Sequence, residues 1–224
     1  KMIKAFSFTK FNADSRPDGH IVCFEGSWSD GVYKTWKDFL TDSAKMRAFI
    51  SQNPADDWIL HCEDYWYFLC TFTALLQCGK RILLTQNISE AFIAEVKKPG
   101  VEFLTDQNAA GSALIQDIIE KSDLPDEQYI RSVPQVDSDK TRILMFTSGS
   151  TGKPKAVPQR MTEFELDNAF IISKWAKEFT SRKLVTTVSQ HHIYGFLFGS
   201  SLPLTLGVPF RRTRITFPEE FEKL

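Results

Sequence analysis

The segment Tyr65–Gln77 is apolar on nearly every side and lies between two short strand-like runs, Trp58–Cys62 and Arg81–Thr85. A helix without a polar face is buried in the protein, since this run is far shorter than the roughly 20 residues that a membrane span needs. Asp64 is suited to cap its start, and Gly79 suits a left-handed end. Two strands joined by such a helix predict a parallel pair with a right-handed crossover.

The alternation of strands and helices continues along the chain. The pattern predicts a helix over Ser89–Lys97, a strand over Val101–Thr105 and a helix over Gly111–Lys121. The Asp-, Ser- and Pro-rich residues Ser122–Lys140 predict a surface connection. Alternating elements of this kind predict an α/β fold, layered, with mostly parallel sheets and flanking helices.

The N-terminal residues predict a hairpin and a helix ahead of this alternation. Ile21–Glu25 is a strand-like run, and Val32–Trp36 is predicted to pair with Trp28 and its neighbours across a tight Asp30-Gly31 turn. The apolar spacing that follows predicts a helix over Lys37–Ile50.

A third unit follows residue 140. The pattern predicts a strand over Arg142–Thr147, a Gly- and Pro-rich loop over Ser148–Arg160, and then a helix over Thr162–Thr180. Thr162 and Glu165 have the spacing of a capping box at the start of that helix. Its apolar face is predicted to contain Ile171, Ile172, Trp175 and Phe179.

The next predicted strand, Leu184–Ser189, ends in the segment Gln190–Gly195. Ligand sites in parallel α/β sheets gather beyond the carboxyl ends of the strands, so this segment and the loop after Thr147 are both expected at a site. We predict that residues 1–140 form an N-terminal α/β subdomain with its starting hairpin. Residues 141–224 are predicted to form part of a second α/β subdomain that carries the loop.

The composition excludes several classes of partner. The 224 residues contain 27 Lys and Arg against 28 Asp and Glu, and the net charge of −1 leaves no broad basic field for nucleic acid or an anionic membrane. The cysteines lack C-x-x-C spacing, and we expect Cys62, Cys70 and Cys78 to pack in the core rather than bind metal. Reduced thiols without a signal-peptide pattern favour a cytoplasmic location.

The run Thr147–Lys155 has the chemistry of a phosphate-binding loop. Gly149 and Gly152 let the backbone bend so that successive N–H groups converge on an anion. The hydroxyl side chains add hydrogen-bond donors, and Lys153 and Lys155 add positive charge. The spacing differs from the common Gly-x-x-x-x-Gly-Lys-[Ser/Thr] loop. The alternative is a solvated linker, which rarely lies between a buried strand and a capped helix.

This loop resembles the signature loop of the adenylate-forming superfamily, which contains acyl-CoA synthetases, non-ribosomal adenylation domains and luciferases. The match runs from Phe146 to Ala156, although the family usually has Gly where this chain has Ala156. The run His192-Ile-Tyr-Gly195 is similar to the family's His-containing motif after the next strand. The strand–helix–strand unit at residues 58–85 resembles the family's N-terminal subdomain, so the chain is identified as the N-terminal portion of such an AMP-dependent synthetase or ligase.

The resemblance implies an ATP-dependent acid ligase. Such an enzyme forms an acyl-adenylate and pyrophosphate from a carboxylic acid, and many members pass the acyl group to a thiol of CoA or of a carrier-protein phosphopantetheine. Fixed donors and Mg²⁺ neutralise the phosphates that the carboxylate must approach. The resemblance assigns the β- and γ-phosphates to Thr147, Ser148, Gly149, Ser150, Thr151, Gly152 and Lys155, with Lys153 at a variable position.

The same resemblance places His192 against the acid, with Tyr194 and Gly195 shaping the pocket, and makes Lys155, Thr151 and His192 the catalytic candidates. His191 is its neighbour on an extended segment, so the two rings should face opposite ways and cannot easily share a metal. Amino-acid-activating relatives usually carry Phe-Asp in this region. That Asp is absent here, which favours an aliphatic or aryl acid.

Several family motifs do not occur in these 224 residues. The Tyr-Gly-x-Thr-Glu stretch that meets adenine and Mg²⁺, the ribose motif and the catalytic lysine are expected beyond Leu224, so no metal ligand is assigned here and the chain alone is expected to be inactive. Two other functions stay open. One is an ATP- or pyrophosphate-binding module that has lost catalysis, and the other is an unrelated phosphate-binding domain with a convergent loop.

Overall fold

The computed structural model describes residues 5–147, 155–179 and 181–223. The strands in this part of the chain are β1 (Ile21–Glu25), β2 (Val32–Thr35), β3 (Asp57–His61), β4 (Arg81–Leu84), β5 (Val101–Thr105), β6 (Ala113–Leu114), β7 (Arg142–Thr147), β8 (Lys155–Gln159) and β9 (Phe210–Arg211). The α-helices are α1 (Trp36–Ser51), α2 (Tyr65–Gln77), α3 (Glu90–Val96), α4 (Ile115–Lys121), α5 (Glu127–Arg131), α6 (Met161–Phe179), α7 (Ile193–Phe196) and α8 (Leu202–Leu206).

The main sheet has the strand order β6-β5-β3-β4-β7-β8, and a smaller sheet has the order β2-β1-β9. Neighbouring strands of the main sheet are parallel from β6 to β7, whereas β8 runs antiparallel to β7 at the edge. β8 contains Pro158, which an edge strand tolerates because one side of its backbone needs no partner. This topology confirms the predicted α/β fold with a mostly parallel sheet.

Helix α2 is the centre of the packing, as its apolar sequence predicts. The Asp64 carboxylate caps it by accepting the backbone N–H groups of Trp66 and Tyr67 at 2.8 and 3.2 Å. Gly79 takes the left-handed φ of +66° just after its end. All residues from Tyr65 to Leu76 are buried except Tyr67, because β3, β4, α1 and α4 surround the helix.

Aromatic rings fill the core around α2. Phe72 stacks on Phe68 with ring centroids 5.5 Å apart, and it contacts Phe196 at 4.8 Å and Phe8 at 6.1 Å. The predicted packing role of the cysteines is confirmed for two of them. Cys62 and Cys70 are fully buried and Cys78 is half-buried, and all three are free thiols.

The predicted hairpin pairs different residues from those expected. β2 pairs with β1 itself, with Glu25 opposite Val32, so residues 26–31 form the connection and Asp30-Gly31 is not a two-residue turn. Trp28 lies in that connection, with its ring 5.4 Å from the rings of Phe24 and Tyr33. The ring packing holds Trp28 outside the strand, which turn propensity alone does not reveal.

Two predictions between residues 111 and 140 are wrong in part. The helix expected over Gly111–Lys121 begins only at Ile115, because Gly111 has a φ of +73° and the next residues extend the sheet as β6. The expected surface connection Ser122–Lys140 contains helix α5, which Asp126 caps. Ile130 of that helix is the one buried residue in 122–140, so the segment lies on the surface, as predicted, and is anchored to the core by this side chain.

The loop predicted over Ser148–Arg160 is also shorter than expected, since residues 155–159 form β8. The predicted capping box at the start of α6 is absent. Glu163 accepts the N–H of Arg160 at 2.8 Å, and Thr162 donates its hydroxyl to Asp139 at 2.6 Å. Glu165 instead accepts the N–H and the hydroxyl of Thr9, so a long-range contact takes the side chain that the local pattern assigns to the cap.

The strand predicted over Leu184–Ser189 does not form. Leu184 alone makes a bridge, to Phe210, and the residues after it satisfy their backbone groups differently. The N–H of Val188 donates to the hydroxyl of Thr186, and its carbonyl accepts the hydroxyl of Tyr65. The predicted apolar face of α6 is also wrong at Trp175, which is exposed and breaks the helix with a φ of −131°.

The predicted division of the chain at residue 140 stays a prediction. β7, which follows that position, pairs with β4 inside the same sheet. Among the described residues, no helix combines the length and apolar character that crossing a bilayer requires.

Candidate functional site

The carboxyl ends of β3, β4 and β7 meet at one edge of the sheet. Leu60 of β3 lies opposite Leu84 of β4, and Leu84 lies opposite Met145 of β7. Cys62 follows the last residue of β3, Gln86 lies two residues beyond the end of β4, and Thr147 is the last residue of β7. The predicted phosphate loop therefore starts at the same edge of the sheet as Cys62 and Gln86.

The central residues of the phosphate loop, 148–154, lie outside the described residues. These include the predicted phosphate-binding residues Ser148, Gly149, Ser150, Thr151, Gly152 and Lys153. The positions that flank them are described. The backbone of Thr147 pairs with that of Lys155 across β7 and β8, and the Lys155 side chain is exposed at the start of β8. The two ends of the loop are thus held side by side at the carboxyl edge of the sheet.

His192 lies at this edge, on the side of β4. Its Nε2–H donates to the Oε1 atom of Gln86 at 2.7 Å, and both side chains are exposed. The backbone of His192 is extended, with φ −100° and ψ 152°, and it precedes helix α7. The ring is therefore oriented by the end of β4 while it stays open to solvent, where a ligand has access to it.

His191 faces the interior, so the two histidines point in opposite directions, as predicted. Its ring stacks on that of His61, with centroids 4.7 Å apart and planes inclined by only 3°. Its Nε2 atom accepts the N–H of Cys62 at 3.1 Å, and its Nδ1–H donates to the Ser189 hydroxyl at 2.7 Å. Burial lowers the pKa of His191 well below its usual value, and the neighbouring His61 and His192 lower it further, so the ring is neutral.

The other two predicted pocket residues differ in exposure. Tyr194 is 71% exposed in the first turn of α7. Gly195 is buried, and a Cβ atom there would lie 1.8 Å from the carbonyl oxygen of Ser189. Only glycine allows this close approach, so Gly195 sets the path of the chain between Ser189 and α7 rather than offering a side chain to a ligand.

A charged hollow of ≈ 370 Å³ lies near this edge of the sheet, beyond β3 and β5. Two of its acidic groups already have basic partners. The Asp64 carboxylate forms an ion pair with the Arg212 guanidinium at 2.5 Å, and the Glu63 carboxylate forms one with that of Arg214 at 3.2 Å. The Asp106 carboxylate accepts the N–H groups of Glu63 and Asp64 at 3.1 and 2.8 Å. No group of metal-ligating side chains occurs in residues 5–147, 155–179 and 181–223.

Comparison with known proteins identifies the family. The sequence pattern described as AMP-binding enzyme matches residues 73–216, which is more than half of the chain. The chain belongs to the AMP-binding enzyme family. The match includes the phosphate loop and the His192 segment, and it confirms the resemblance to the adenylate-forming superfamily.

Solved structures of adenylate-forming proteins share the fold. ATP-bound MatB from Rhodopseudomonas palustris is 14% identical with a TM-score of 0.66, over 94% of this chain and 47% of that protein. The N-terminal subdomain of Klebsiella oxytoca NpsA, in complex with 3-hydroxyanthranilyl-AMSN, is 16% identical with a TM-score of 0.69, over 98% of this chain and 56% of the other. An adenylation domain of a keto acid-selecting NRPS module, bound to keto acyl adenylate, is 11% identical with a TM-score of 0.67, over 94% and 44%.

This member of the AMP-binding enzyme family therefore spans about half the length of the solved structures that it matches. No curated protein matches the chain at a significant level. The comparisons consequently show the family and the fold.

Sequence reasoning missed three side chains that orient the histidine segment of this member of the family. The side-chain oxygen of Gln86 accepts a hydrogen bond from the His192 ring, and the Ser189 hydroxyl accepts one from the His191 ring. The side-chain amide of Gln190 donates to the carbonyl of Cys62. Position along the chain was the one indication of their role available from the sequence. Gln86 follows the end of a predicted strand, and Ser189 and Gln190 precede the histidines. Gln86 and Gln190 lie more than 100 residues from their partners in the chain, so no local pattern reveals those two contacts.

Proposed function

We propose that this chain is the N-terminal part of an ATP-dependent acid ligase that forms an acyl-adenylate and pyrophosphate from a carboxylic acid. The observation that carries the proposal is the shared edge of the sheet. Thr147, where the phosphate loop begins, is the last residue of β7, and Gln86, which holds His192, follows the adjacent strand β4. A phosphate-binding loop and an acid-binding ring at the carboxyl ends of adjacent strands suit a reaction that joins a carboxylate to the α-phosphate of ATP.

In this proposal the loop residues Thr147–Gly152 and Lys155 hold the β- and γ-phosphates and stabilise the departing pyrophosphate. Backbone N–H groups and hydroxyls act there as fixed donors, and Lys155 supplies the positive charge. Mg²⁺, when bound, would shield the phosphate charges from the incoming carboxylate.

His192 is proposed to contact the acid, with Tyr194 beside it. Its ring is exposed, and the bond from Nε2 to Gln86 makes Nδ1 the unprotonated nitrogen in the neutral ring. Among residues 190–195 there is no carboxylate to receive a substrate ammonium group. We therefore favour an aliphatic or aryl acid over an amino acid, with CoA or a carrier-protein phosphopantetheine as the acceptor of the acyl group.

The family match removes the convergent, unrelated phosphate-binding domain from consideration. The second candidate is a module that binds ATP or pyrophosphate without catalysis.

The proposal is tested by acid-dependent exchange of labelled pyrophosphate into ATP. The protein at its natural length and the 224-residue chain are assayed side by side with aliphatic, aryl and amino acids. We expect exchange with one acid class in the longer protein and none in the 224-residue chain. ATP binding without exchange for any acid would favour the non-catalytic module.

Variants of the phosphate loop test whether this loop takes part in the pyrophosphate exchange. We expect Lys155→Ala and Thr151→Ala each to slow exchange by about 100-fold, which is typical for the loss of one fixed donor to a developing charge. Lys153→Ala, at the variable family position, is the comparison variant, and its cost is expected to be smaller than that of Lys155→Ala. Full activity in both test variants would remove the loop from the mechanism.

A substitution at His192 tests whether this residue affects binding of the acid without affecting binding of ATP. We expect His192→Ala to raise the KM for the acid and to change the preference among acids, while the KM for ATP changes by less than twofold. Equal changes in both KM values would contradict a contact between His192 and the acid.

A further inference from the structure

Three consecutive side chains of the segment Ser189–His192 form hydrogen bonds with residues that follow the adjacent strands β3 and β4. The Gln190 amide donates to the carbonyl of Cys62, and His191 accepts the N–H of the same residue. His192 then reaches across to Gln86 at the end of β4. Both backbone groups of Cys62 are thus bonded by side chains at the point where β3 has ended.

The ends of β3 and β4 are also joined to each other beneath this segment. His61, the last residue of β3, donates from Nδ1 to the carbonyl of Thr85 at 3.0 Å. Thr85 immediately precedes Gln86, and the His61 ring carries the stacked ring of His191. The contacts therefore close a circuit that runs from His192 through Gln86, Thr85 and His61 back to His191.

We infer that Gln190 and His191 are positioning residues that hold His192 in register with Gln86, and that they thereby set the affinity of the site for the acid rather than for ATP. We call the four side chains of Gln86, Gln190, His191 and His192 the histidine clasp. The inference rests on the proposed function, because it deepens the role given to His192 there.

The chemistry of the clasp requires a neutral His191. Its Nε2 atom must keep a lone pair for the Cys62 N–H, so the proton resides on Nδ1, where the Ser189 hydroxyl receives it. The ring is 2% exposed and lies beside His61, and Phe68 packs edge-on at 5.9 Å. A residue of similar size without an acceptor would fill the space but leave the Cys62 N–H without its partner.

The geometry also explains why changes at Gln190 and His191 should alter the affinity for the acid rather than for ATP. Gln190 and His191 contact β3, whereas the phosphate loop begins at β7, and β4 lies between those strands. A loosened segment moves His192 away from Gln86 and leaves the pairing of β7 with β8 unchanged. A residue that served only the general stability of the fold would affect both substrates alike.

The test compares three variants in pyrophosphate exchange by the protein at its natural length. His191→Leu removes the acceptor, His191→Gln restores an acceptor on a flexible chain of similar reach, and Gln190→Met removes the donor at nearly constant length. We expect His191→Leu and Gln190→Met to raise the KM for the acid about tenfold, with the KM for ATP within twofold. His191→Gln should recover most of the acid affinity.

His20→Gln is the matched control, since it changes a histidine elsewhere in the fold, and it should leave both KM values unchanged. An unchanged acid KM in folded His191→Leu and Gln190→Met would overturn the inference. Equal rises in both KM values, or no rescue by His191→Gln, would do the same. If His191→Leu does not fold, Gln190→Met alone decides between these outcomes.

A second measurement keeps the clasp testable if the wild-type protein shows no exchange with any acid. Amide hydrogen exchange is followed at Cys62 in the 224-residue chain. We expect a protected Cys62 amide in the wild type and in His191→Gln, and at least tenfold faster exchange in His191→Leu. Equal rates in all three would overturn the clasp, whereas protection without catalysis would overturn the proposed function alone.

Discussion

Residues 57–105 and residues 161–216 are both built from alternating apolar and polar runs, yet they fold in different ways. In the first region the strands β3, β4 and β5 pair directly, and helix α2 is buried on almost every side. The second region has a kinked helix, an irregular segment after Leu184 and a π-helical turn at Leu197–Ser201. It also leaves large hydrophobic side chains exposed, namely Leu166, Phe170, Trp175, Val188, Ile193, Tyr194 and Phe198.

The difference lies in where each region finds its partners. The first region satisfies most of its backbone groups within β3, β4, β5 and α2, whose bounds follow largely from local sequence. The irregular part of the second region is fixed by contacts with the first. Tyr65 bonds to the carbonyl of Val188, and both backbone groups of Cys62 bond to the segment that carries His192. The candidate site is therefore the part of the molecule that depends most on long-range contacts.

The largest expected contrast uses the same substitution in both regions. Phe72→Ala removes a fully buried ring in contact with Phe68 and Phe196, and it should lower the free energy of unfolding by ~3–5 kcal/mol. Phe170→Ala is the matched variant in the second region. Its ring is 58% exposed, so a change within ~0.5 kcal/mol is expected. Denaturant unfolding measures both, and similar losses would break the comparison.

A second contrast concerns two glycines. Gly195→Ala places a Cβ atom against the carbonyl of Ser189 and should cost ~1–3 kcal/mol, as overpacking does. Gly19→Ala is the control, because no atom lies within 4 Å of the added Cβ atom, and it should be neutral or slightly stabilising. Thermal unfolding of the two variants decides the matter. A neutral Gly195→Ala would mean that the segment from Ser189 to α7 can move freely.

The third prediction concerns the stability of the protein at low pH. Burial lowers the pKa of His191 below the value of about 6.5 for an unfolded chain, so below that pH the unfolded state binds a proton that the folded state does not. Stability should therefore fall as the pH decreases from 6.5, by at most ~1.4 kcal/mol per pH unit from this group. His20 has a pKa lowered by burial and adds to the same trend.

Urea unfolding at pH 7 and pH 5 measures this loss, with His191→Gln for comparison. The variant should lose less stability between the two pH values than the wild type. An equal loss would assign the acid sensitivity to other groups.

The smallest expected effect is that of Tyr65→Phe. Its hydroxyl joins the two regions by donating to the carbonyl of Val188, and burial raises its pKa to about 12. Removing it should cost ~1 kcal/mol, since Thr186 still donates to that carbonyl at 3.2 Å. Amide exchange should accelerate between residues 184 and 192 and stay constant in β3 and β4. Uniform acceleration would show that the regions unfold together.

Much of the fold was predictable from local sequence. The bounds of α2, β1, β5 and β7 were predicted as observed, because each is a run whose apolar residues and flanking caps agree with one another. The hairpin register was wrong because the Trp28 ring packs against the rings of Phe24 and Tyr33 in the connection between the strands. The capping box at Glu165 was wrong because Glu165 accepts hydrogen bonds from the distant Thr9, and the strand at residues 184–189 failed where Val188 bonds to the distant Tyr65.

The sequence by itself determined the α/β class, the buried central helix and the resemblance of the loop between β7 and β8 to a phosphate-binding family. These follow from the periodicity of apolar residues and from a short run whose chemistry has few other uses. Only the tertiary structure decided that Gln86 orients His192 and that Gln190 and His191 grip Cys62. Those contacts join residues more than 100 positions apart, and they form only because parallel pairing brings the ends of β3, β4 and β7 to the same edge of the sheet.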